Sequence, residues 1–363
     1  MTFPIGDMAP WLAALGHENV RVVRRNGRVV AGMGIIPMGH YFGGRSVPAG
    51  GITAVGVAPD QRGSGVGLFM LQLSLIEQQR QGAPIATLYP ATTNFYRRSG
   101  FERAAHRIIY EVPLAGVGVR DYALDAAPAA PEEYALIKQL YAQKAAQSSA
   151  LIDRPAFYWD NFLEPKTKRS YKFIVRRDGV PEGSVVFMHA SFGEHLQVRD
   201  YVALTPAAGR RILTLLADHR SMVETMRVPG GANDGLLFLM PEQRHKAHWS
   251  LDLMLRVLDV AGALTARGYS PGVQAELHLD VDDALLPNNR GRFVLRLADG
   301  RGTVEKGGSG TLKLDARALA ALYSGYLTSH ELVAAGMLAA PPEALAAAGL
   351  MFAGPRPWLP DMF

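Results

Sequence analysis

The sequence predicts an α/β chain with mixed sheets, built in more than one domain. Three observations carry this. Val-rich runs across residues 20–36 flank Asn26-Gly27, the pair that favours a tight two-residue hairpin. A β-rich run at 52–58 is followed by a glycine-rich turn and then, at 65–81, by apolar residues at helical spacing. The length of 363 residues suits two or three hydrophobic cores rather than one.

The remaining elements follow in chain order. Gly82 is the stop expected for the helix at 65–81. Ile85–Leu88 reads as a short buried strand, 92–98 as a short helix with Gly100 beyond it, and Ile108–Val112 as a further strand. Residues 113–130, rich in Ala, Gly, Asp and Pro, read as a linker. Pro131, Glu132 and Glu133 open a helix over 131–147, where an acidic first turn is favoured. Strands at 171–177 and 184–191 flank Asp178-Gly179, and a helix follows at 206–219. This order loosely repeats the first unit without its glycine loop. From residue 251 the pattern changes to a strand at 254–258, a helix at 260–267, strands at 275–281, 292–297 and 310–314, and helices at 316–323 and 330–335. A proline-rich tail ends in Phe363.

Composition narrows the function. With 48% hydrophobic and 20% charged residues the chain is globular rather than disordered. Its net charge of +5 is scattered, which gives no footprint for nucleic acid. There are no cysteines, so disulfides, thiolate metal sites and an acyl-cysteine intermediate are excluded. The histidines are scattered, and His245 and His248 lack the acidic helper of a zinc helix, so no metal is expected. The opening MTFPIGDMAPWL lacks the basic start and long apolar run of a signal peptide, and no stretch reaches membrane-spanning length. The expectation is a soluble, cytoplasmic protein without a membrane partner.

The chemistry centres on the segment from Val55 to Gly67. A strand ends, the chain turns at Pro59-Asp60, and a helix starts on glycines. Glycine lets backbone N–H groups crowd an anion, and the helix N-terminus adds a positive dipole end. The Gly-Lys-Ser/Thr of a nucleotide-binding P-loop is absent. The hairpin ahead of the loop and the spacing Arg62-x-x-Gly65-x-Gly67 also differ from a dinucleotide fingerprint. Read by itself, such a loop is equally a strand–helix turn with no ligand.

Arg62-x-x-Gly65-x-Gly67 resembles the coenzyme A loop of the GNAT (Gcn5-related) N-acetyltransferases. Asn94-Phe95-Tyr96-Arg97-Arg98-Ser99-Gly100-Phe101 resembles the second signature of that family. Residues 253–269 (LMLRVLDVAGALTARGY) and 319–338 (LAALYSGYLTSHELVAAGML), with a terminal phenylalanine, are similar to the Eis (enhanced intracellular survival) branch. This resemblance covers essentially the whole chain. It implies tandem GNAT domains followed by a sterol-carrier-protein-like α/β domain: a catalytic domain at 1–113 whose first strand is missing, a second GNAT-like domain without the loop at 114–250, and a sterol-carrier-like domain at 251–363 that delivers the C-terminus.

The resemblance implies an acetyl-CoA-dependent N-acetyltransferase that moves acetyl directly to a primary amine in a ternary complex. The backbone of Val55, Gly56 and Val57 holds the pantetheine arm, with the Val55 N–H facing the oxyanion. Arg62, Gly63, Ser64, Gly65, Val66, Gly67 and Leu68 hold the pyrophosphate, and Ala91 and Thr92 line the cofactor. Tyr96 is the general acid and the carboxylate of Phe363 the general base. The plainer readings are a half-buried core tyrosine and a frayed chain end. The acceptor is an amine-bearing small molecule or a lysine side chain. Met362 is apolar where relatives can carry an acid, and Asp361 is the nearby acidic alternative. The branch further implies a homo-oligomer, a hexamer built as a trimer of dimers. The competing function is a non-catalytic lipid or small-molecule carrier.

Overall fold

The computed structural model describes residues 8–165, 169–190, 194–249 and 251–363. The targeting reading at residues 1–7 and the end of the expected strand at 184–191 lie outside them. The chain divides into two compact units. The first takes residues up to Ala105, Asp252–Pro357 and Met362–Phe363; the second takes His106–Leu251 and Trp358–Asp361.

The first unit opens with helix α1 (Met8–Leu15), then β1 (Val20–Arg25) and β2 (Arg28–Phe42). Asn26 (φ 50°) and Gly27 (φ 77°) both adopt the left-handed region, as a two-residue hairpin requires. A second hairpin carries β2 into β3 (Arg45–Val57), which begins well before the run expected at 52–58. Glycines hid its first half from an apolar pattern. A Cβ on Gly50 would lie 1.8 Å from the Gln78 carboxamide oxygen, and one on Gly51 would lie 3.0 Å from the Phe363 ring. Helix α2 (Val66–Arg80), β4 (Ile85–Leu88), helix α3 (Thr93–Arg97) and β5 (Glu102–Ala105) follow. Ile35, Ile52, Met70, Leu71, Leu75, Leu88 and Phe101 form the core between sheet and helices.

The sheet order is β1-β2-β3-β4, then Leu253–Val257, then β5. The late strand is antiparallel to both neighbours, with Met254 opposite Leu88 and Leu253 opposite Ala105. All its residues are buried, as an apolar run inside a sheet should be. Its one charge, Arg256, is paired with Asp283 at 2.6 Å. Sequence patterning marks this run as a strand but carries no information on its partner. The rest of the unit holds helix Val260–Ala266 and a sheet ordered Arg301–Lys306, Gly291–Ala298, Ala275–Asp282, Leu312–Asp315, Leu338–Ala339. Helices Ala316–Ser324, Ser329–Ala334 and Pro342–Met351 accompany it.

The second unit has one sheet, ordered Lys246–Trp249, Ile108–Pro113, Thr225–Gly230, His195–Ala203, Val180–His189, Tyr171–Arg177, Asp125–Pro128. Ile108–Pro113, grouped by its sequence position with the first unit, pairs here with Thr225–Gly230. Helices Tyr134–Ala146 and Pro206–Ala217 belong to this unit. Glu133 accounts for the acidic helix start, since its carboxylate accepts the Ala130 N–H at 3.0 Å. Among the described residues no helix is long and apolar enough to cross a membrane, and no cluster of His, Asp and Glu could hold a metal ion.

Candidate active site

β3 pairs in parallel with β4 only where Ala49–Ile52 meets Ile85–Leu88. Just past that point its register with β2 slips. Gly34 faces Thr53 and Gly32 faces Gly56, so Ala54 and Val55 bulge between them. Ala54 is held at φ 50°, where a residue with a Cβ is strained. A bulge re-aims the strand and raises its twist. From Thr53 to Val57 no β4 residue stands in register opposite β3. Val55, Gly56 and Val57 therefore carry backbone that β4 does not use, with Gly56 exposed and a Cβ there meeting nothing within 4 Å.

The turn after β3 leads straight into α2. Gly63 (φ 79°) and Gly65 (φ 82°) are left-handed, and added side chains at either would meet open space. Gly65 is the N-cap of α2 and offers no capping side chain. The N–H groups of Val66, Gly67 and Leu68 have no backbone acceptor among the described residues. Ser64 turns its hydroxyl back onto the Gln61 carbonyl at 2.7 Å. Arg62 is exposed and forms no ion pair among the described residues, whereas the neighbouring Asp60 is paired with Arg28 at 3.1 Å. Open N–H groups, a dipole end and an uncommitted guanidinium suit a pyrophosphate. Gly67 serves packing instead: a Cβ would sit 3.0 Å from the Val57 side chain.

At the end of β4, Ala91 and Thr92 are exposed, and Thr92 caps α3 without a side-chain hydrogen bond. Tyr96 on α3 is 5% exposed. Phe95 and Phe101 clamp its ring edge-on at 5.0 and 6.1 Å. Its hydroxyl has no hydrogen-bond partner among the described residues, and burial raises its pKa above the ordinary tyrosine range. The glycine of this motif is explained by Arg256: Gly100 has φ 83°, and a Cβ would lie 2.9 Å from that buried guanidinium. Glu102 anchors α3, pairing with Arg97 at 2.7 Å and Arg317 at 2.6 Å. Burial opposes the charge of Glu102, but hydrogen bonds from Arg97 and Arg317 outweigh it and hold the carboxyl below its usual range.

Phe363 packs on the same sheet. Its ring lies 5.7 Å from Tyr89 and 6.4 Å from His40, centroid to centroid, and against Gly51. His40 is fully buried and shares a 3.0 Å hydrogen bond with Thr87. Sequence reasoning missed Tyr89 and His40, because nothing local marks a histidine on β2 as the neighbour of a residue at the chain end. Asp361, the acidic alternative to Met362, is 4% exposed and held by Arg154 at 3.0 Å. A cavity of about 420 Å³ opens beside the bulge, lined by Trp11, Leu12, Val30, Met33, Gly56 and Val57 among others, with no ionisable side chain.

Residues 4–104 and 150–257 each match the acetyltransferase (GNAT) domain family, and residues 260–360 match the sterol carrier protein domain. An uncharacterized N-acetyltransferase of Streptomyces griseus is 30% identical over 355 residues, covering 88% of this chain and 83% of the relative. The N-acetyltransferase Eis of Mycobacterium tuberculosis is 26% identical over 317 residues, covering 80% and 74%. The crystal structure of a GCN5-related N-acetyltransferase from Anabaena variabilis superposes with a TM-score of 0.94 at 36% identity, covering 99% of this chain and 94% of that one. A bulged strand, an open glycine turn and two acetyltransferase domains ahead of a sterol-carrier domain thus identify the chain as an acyltransferase that belongs to the Eis-like GCN5-related N-acetyltransferases.

Proposed function

We propose that this enzyme moves acetyl from acetyl-CoA directly to a primary amine. The observation that carries the reading is the bulge at Ala54–Val55 beside the uncapped start of α2, since strand and helix then offer unpaired backbone to one extended ligand. The backbone of Val55, Gly56 and Val57 would hold the pantetheine arm. Arg62 and the Gly63–Leu68 turn would hold the pyrophosphate, with Ala91 and Thr92 at its side. The cofactor supplies the activated acetyl as a thioester.

The chain's own groups then manage protons. The Phe363 carboxylate takes a proton from the amine, and the Tyr96 hydroxyl gives one to the departing sulfur. The phenol is protonated at neutral pH, as a proton donor must be, while burial raises its pKa and makes it the weaker acid, so its place beside the cofactor turn rather than the shift supports the second role. The Val55 N–H is the donor nearest the strained bulge and would face the developing oxyanion. In this division residues 1–113 are the catalytic domain, 114–250 a second GNAT-like domain without the cofactor loop, and 251–363 the domain that delivers the C-terminus. The uncharged lining of the cavity beside Gly56 favours an amine carried on an apolar body over a polycation. A cytoplasmic hexamer, arranged as a trimer of dimers, completes the reading.

Calorimetric titration with acetyl-CoA, run beside a thiol-release assay over arylalkylamines, polyamines, aminoglycosides and a lysine peptide, tests it. Binding with turnover on an arylalkylamine is expected. Turnover on the lysine peptide alone would move the enzyme to protein acetylation. No binding at all would sink the glycine-loop assignment and bring the carrier function forward.

A further inference from the structure

The second unit repeats the site's backbone geometry. His195–Ala203 pairs in parallel with Thr225–Gly230 only over His195–Gln197. Its register with Val180–His189 then slips, leaving Arg199 unopposed between Val198 and Asp200. In the first unit that geometry frees a strand edge. Here the strand beyond the bulge meets side chains and the tail of the protein. Asp200 is buried and takes Lys144 at 3.1 Å and Arg154 at 2.9 Å. Lys144 lies 4.1 Å from the Tyr201 ring and 5.0 Å from the Trp358 ring. Trp358 fills the space a Cβ on Gly231 would need, at 3.0 Å. The backbone N–H of Trp358 donates to Ser149 and that of Leu359 to His106, at 3.1 and 3.0 Å.

The tail's strongest hold is Asp361. Arg154 meets it with two nitrogens, Nη2 at 3.0 Å and Nε at 3.2 Å. Tyr158 donates its hydroxyl to the same carboxylate at 3.1 Å. The Arg154 side chain is fully buried, with its guanidinium 3.9 Å from the Tyr141 ring, 4.3 Å from Phe162 and 4.7 Å from Trp159. A buried ion pair adds little net stability over an apolar filling, so its worth lies in fixing one arrangement. Chain ends ordinarily fray.

We propose that the second unit's bulged cleft has become a socket for the end of the chain, in which Arg154 and Asp361 are positioning residues that hold Phe363. The proposal rests on the acetyl-transfer reading for its catalytic consequence, but not for the tether itself. Phe363 stands two positions after Asp361, with only Met362 between them, a span of at most about 7 Å. Movement of Asp361 therefore passes directly to the Phe363 carboxylate.

The test uses the full chain with Asp361→Asn, and Val198→Ala as a variant that weakens the same unit without touching the tail. Carboxypeptidase release of Phe363 reads the tether; kcat and the KM for acetyl-CoA read its use. The expected result for Asp361→Asn is at least about tenfold faster release, about tenfold lower kcat, and a KM changed by less than about twofold. Val198→Ala should release Phe363 at the wild-type rate. Faster release with unchanged kcat upholds the tether and overturns the Phe363 carboxylate as base. Wild-type release from folded Asp361→Asn overturns the tether. Should that variant fail to fold, Tyr158→Phe removes the hydroxyl that donates to Asp361, and release about threefold faster than wild type is the corresponding expectation.

Discussion

The two bulged strand–turn–helix segments start from one geometry and end with opposite chemistry. In the first, α2 begins at Gly65 in the left-handed region, with no side chain capping its N–H groups. In the second, helix Pro206–Ala217 begins after Thr205, whose hydroxyl accepts the Ala208 N–H at 3.2 Å. Pro206 has no N–H to offer. The second helix satisfies its own start, while the first leaves it for a ligand. The charged groups differ in the same sense. Arg62 is exposed beside the open turn, whereas Arg154 is buried and Lys144 half-buried against Asp200. A binding site here is a helix start left unfinished, and a socket is the same start completed from within.

The sharpest way to break this contrast is to finish the first helix. Gly65→Asp keeps a residue type that tolerates the left-handed region and puts a carboxylate where the pyrophosphate is expected. Acetyl-CoA affinity should fall on the order of 10³-fold, about 4 kcal/mol, by calorimetry. An affinity loss under about fivefold would detach the turn from cofactor binding. Next in size, Tyr96→Phe should lower kcat on the order of 10²-fold at unchanged acetyl-CoA affinity, the scale of one general acid. A kcat near wild type would return Tyr96 to the core.

Glu102→Gln sharpens the comparison differently, since Glu102 ties α3 to Arg97 and Arg317 as Asp361 is tied to Arg154. Removing this buried charge from its two partners should cost about 3 kcal/mol at pH 7. The folded carboxyl titrates below the unfolded one, so its stabilisation is complete above about pH 4.3. It is lost as the pH falls from there through the lowered folded value. Wild type and variant should therefore converge in denaturant midpoint in acid and diverge at neutrality. A gap that widens in acid would contradict the sign of the shift.

What the sequence disclosed and what it hid divide along sequence distance. The Asn26-Gly27 hairpin, the glycine turn into α2 and the segment around Tyr96 are each written within about a dozen residues, and those elements stand where the patterns put them. The bulge at Ala54 is not written locally, because nothing in ITAVGV says which residue loses its partner. The crossing of Ile108–Pro113 and Leu253–Val257 to the other sheets is equally silent, since an apolar run specifies burial but not a neighbour. Arg154 and Asp361 lie 207 positions apart, and nothing in either segment names the other as its partner: Asp361 alone reads as a candidate acid for the acceptor. The phosphate-cradling candidates were legible because one turn supplies them. The groups that seat the chain end were not, because several distant segments converge to make the seat.

The smallest expected effect is also the cleanest control. Thr205→Ala deletes the cap that distinguishes the second helix from the first. A lost threonine cap costs about 1 kcal/mol, or roughly 2–4 °C in a unit of this size. It should leave acetyl-CoA affinity untouched, because the second unit keeps Lys144 and Arg154 committed to Asp200 even with its helix start opened. Titrating the variant for a second equivalent of acetyl-CoA separates two accounts of the pair. Thermal loss without new binding means that the socket, not the cap, closed the second site. A second binding event would mean that the two halves differ by little more than one hydroxyl, and that the tail occupies a cleft still able to take a cofactor.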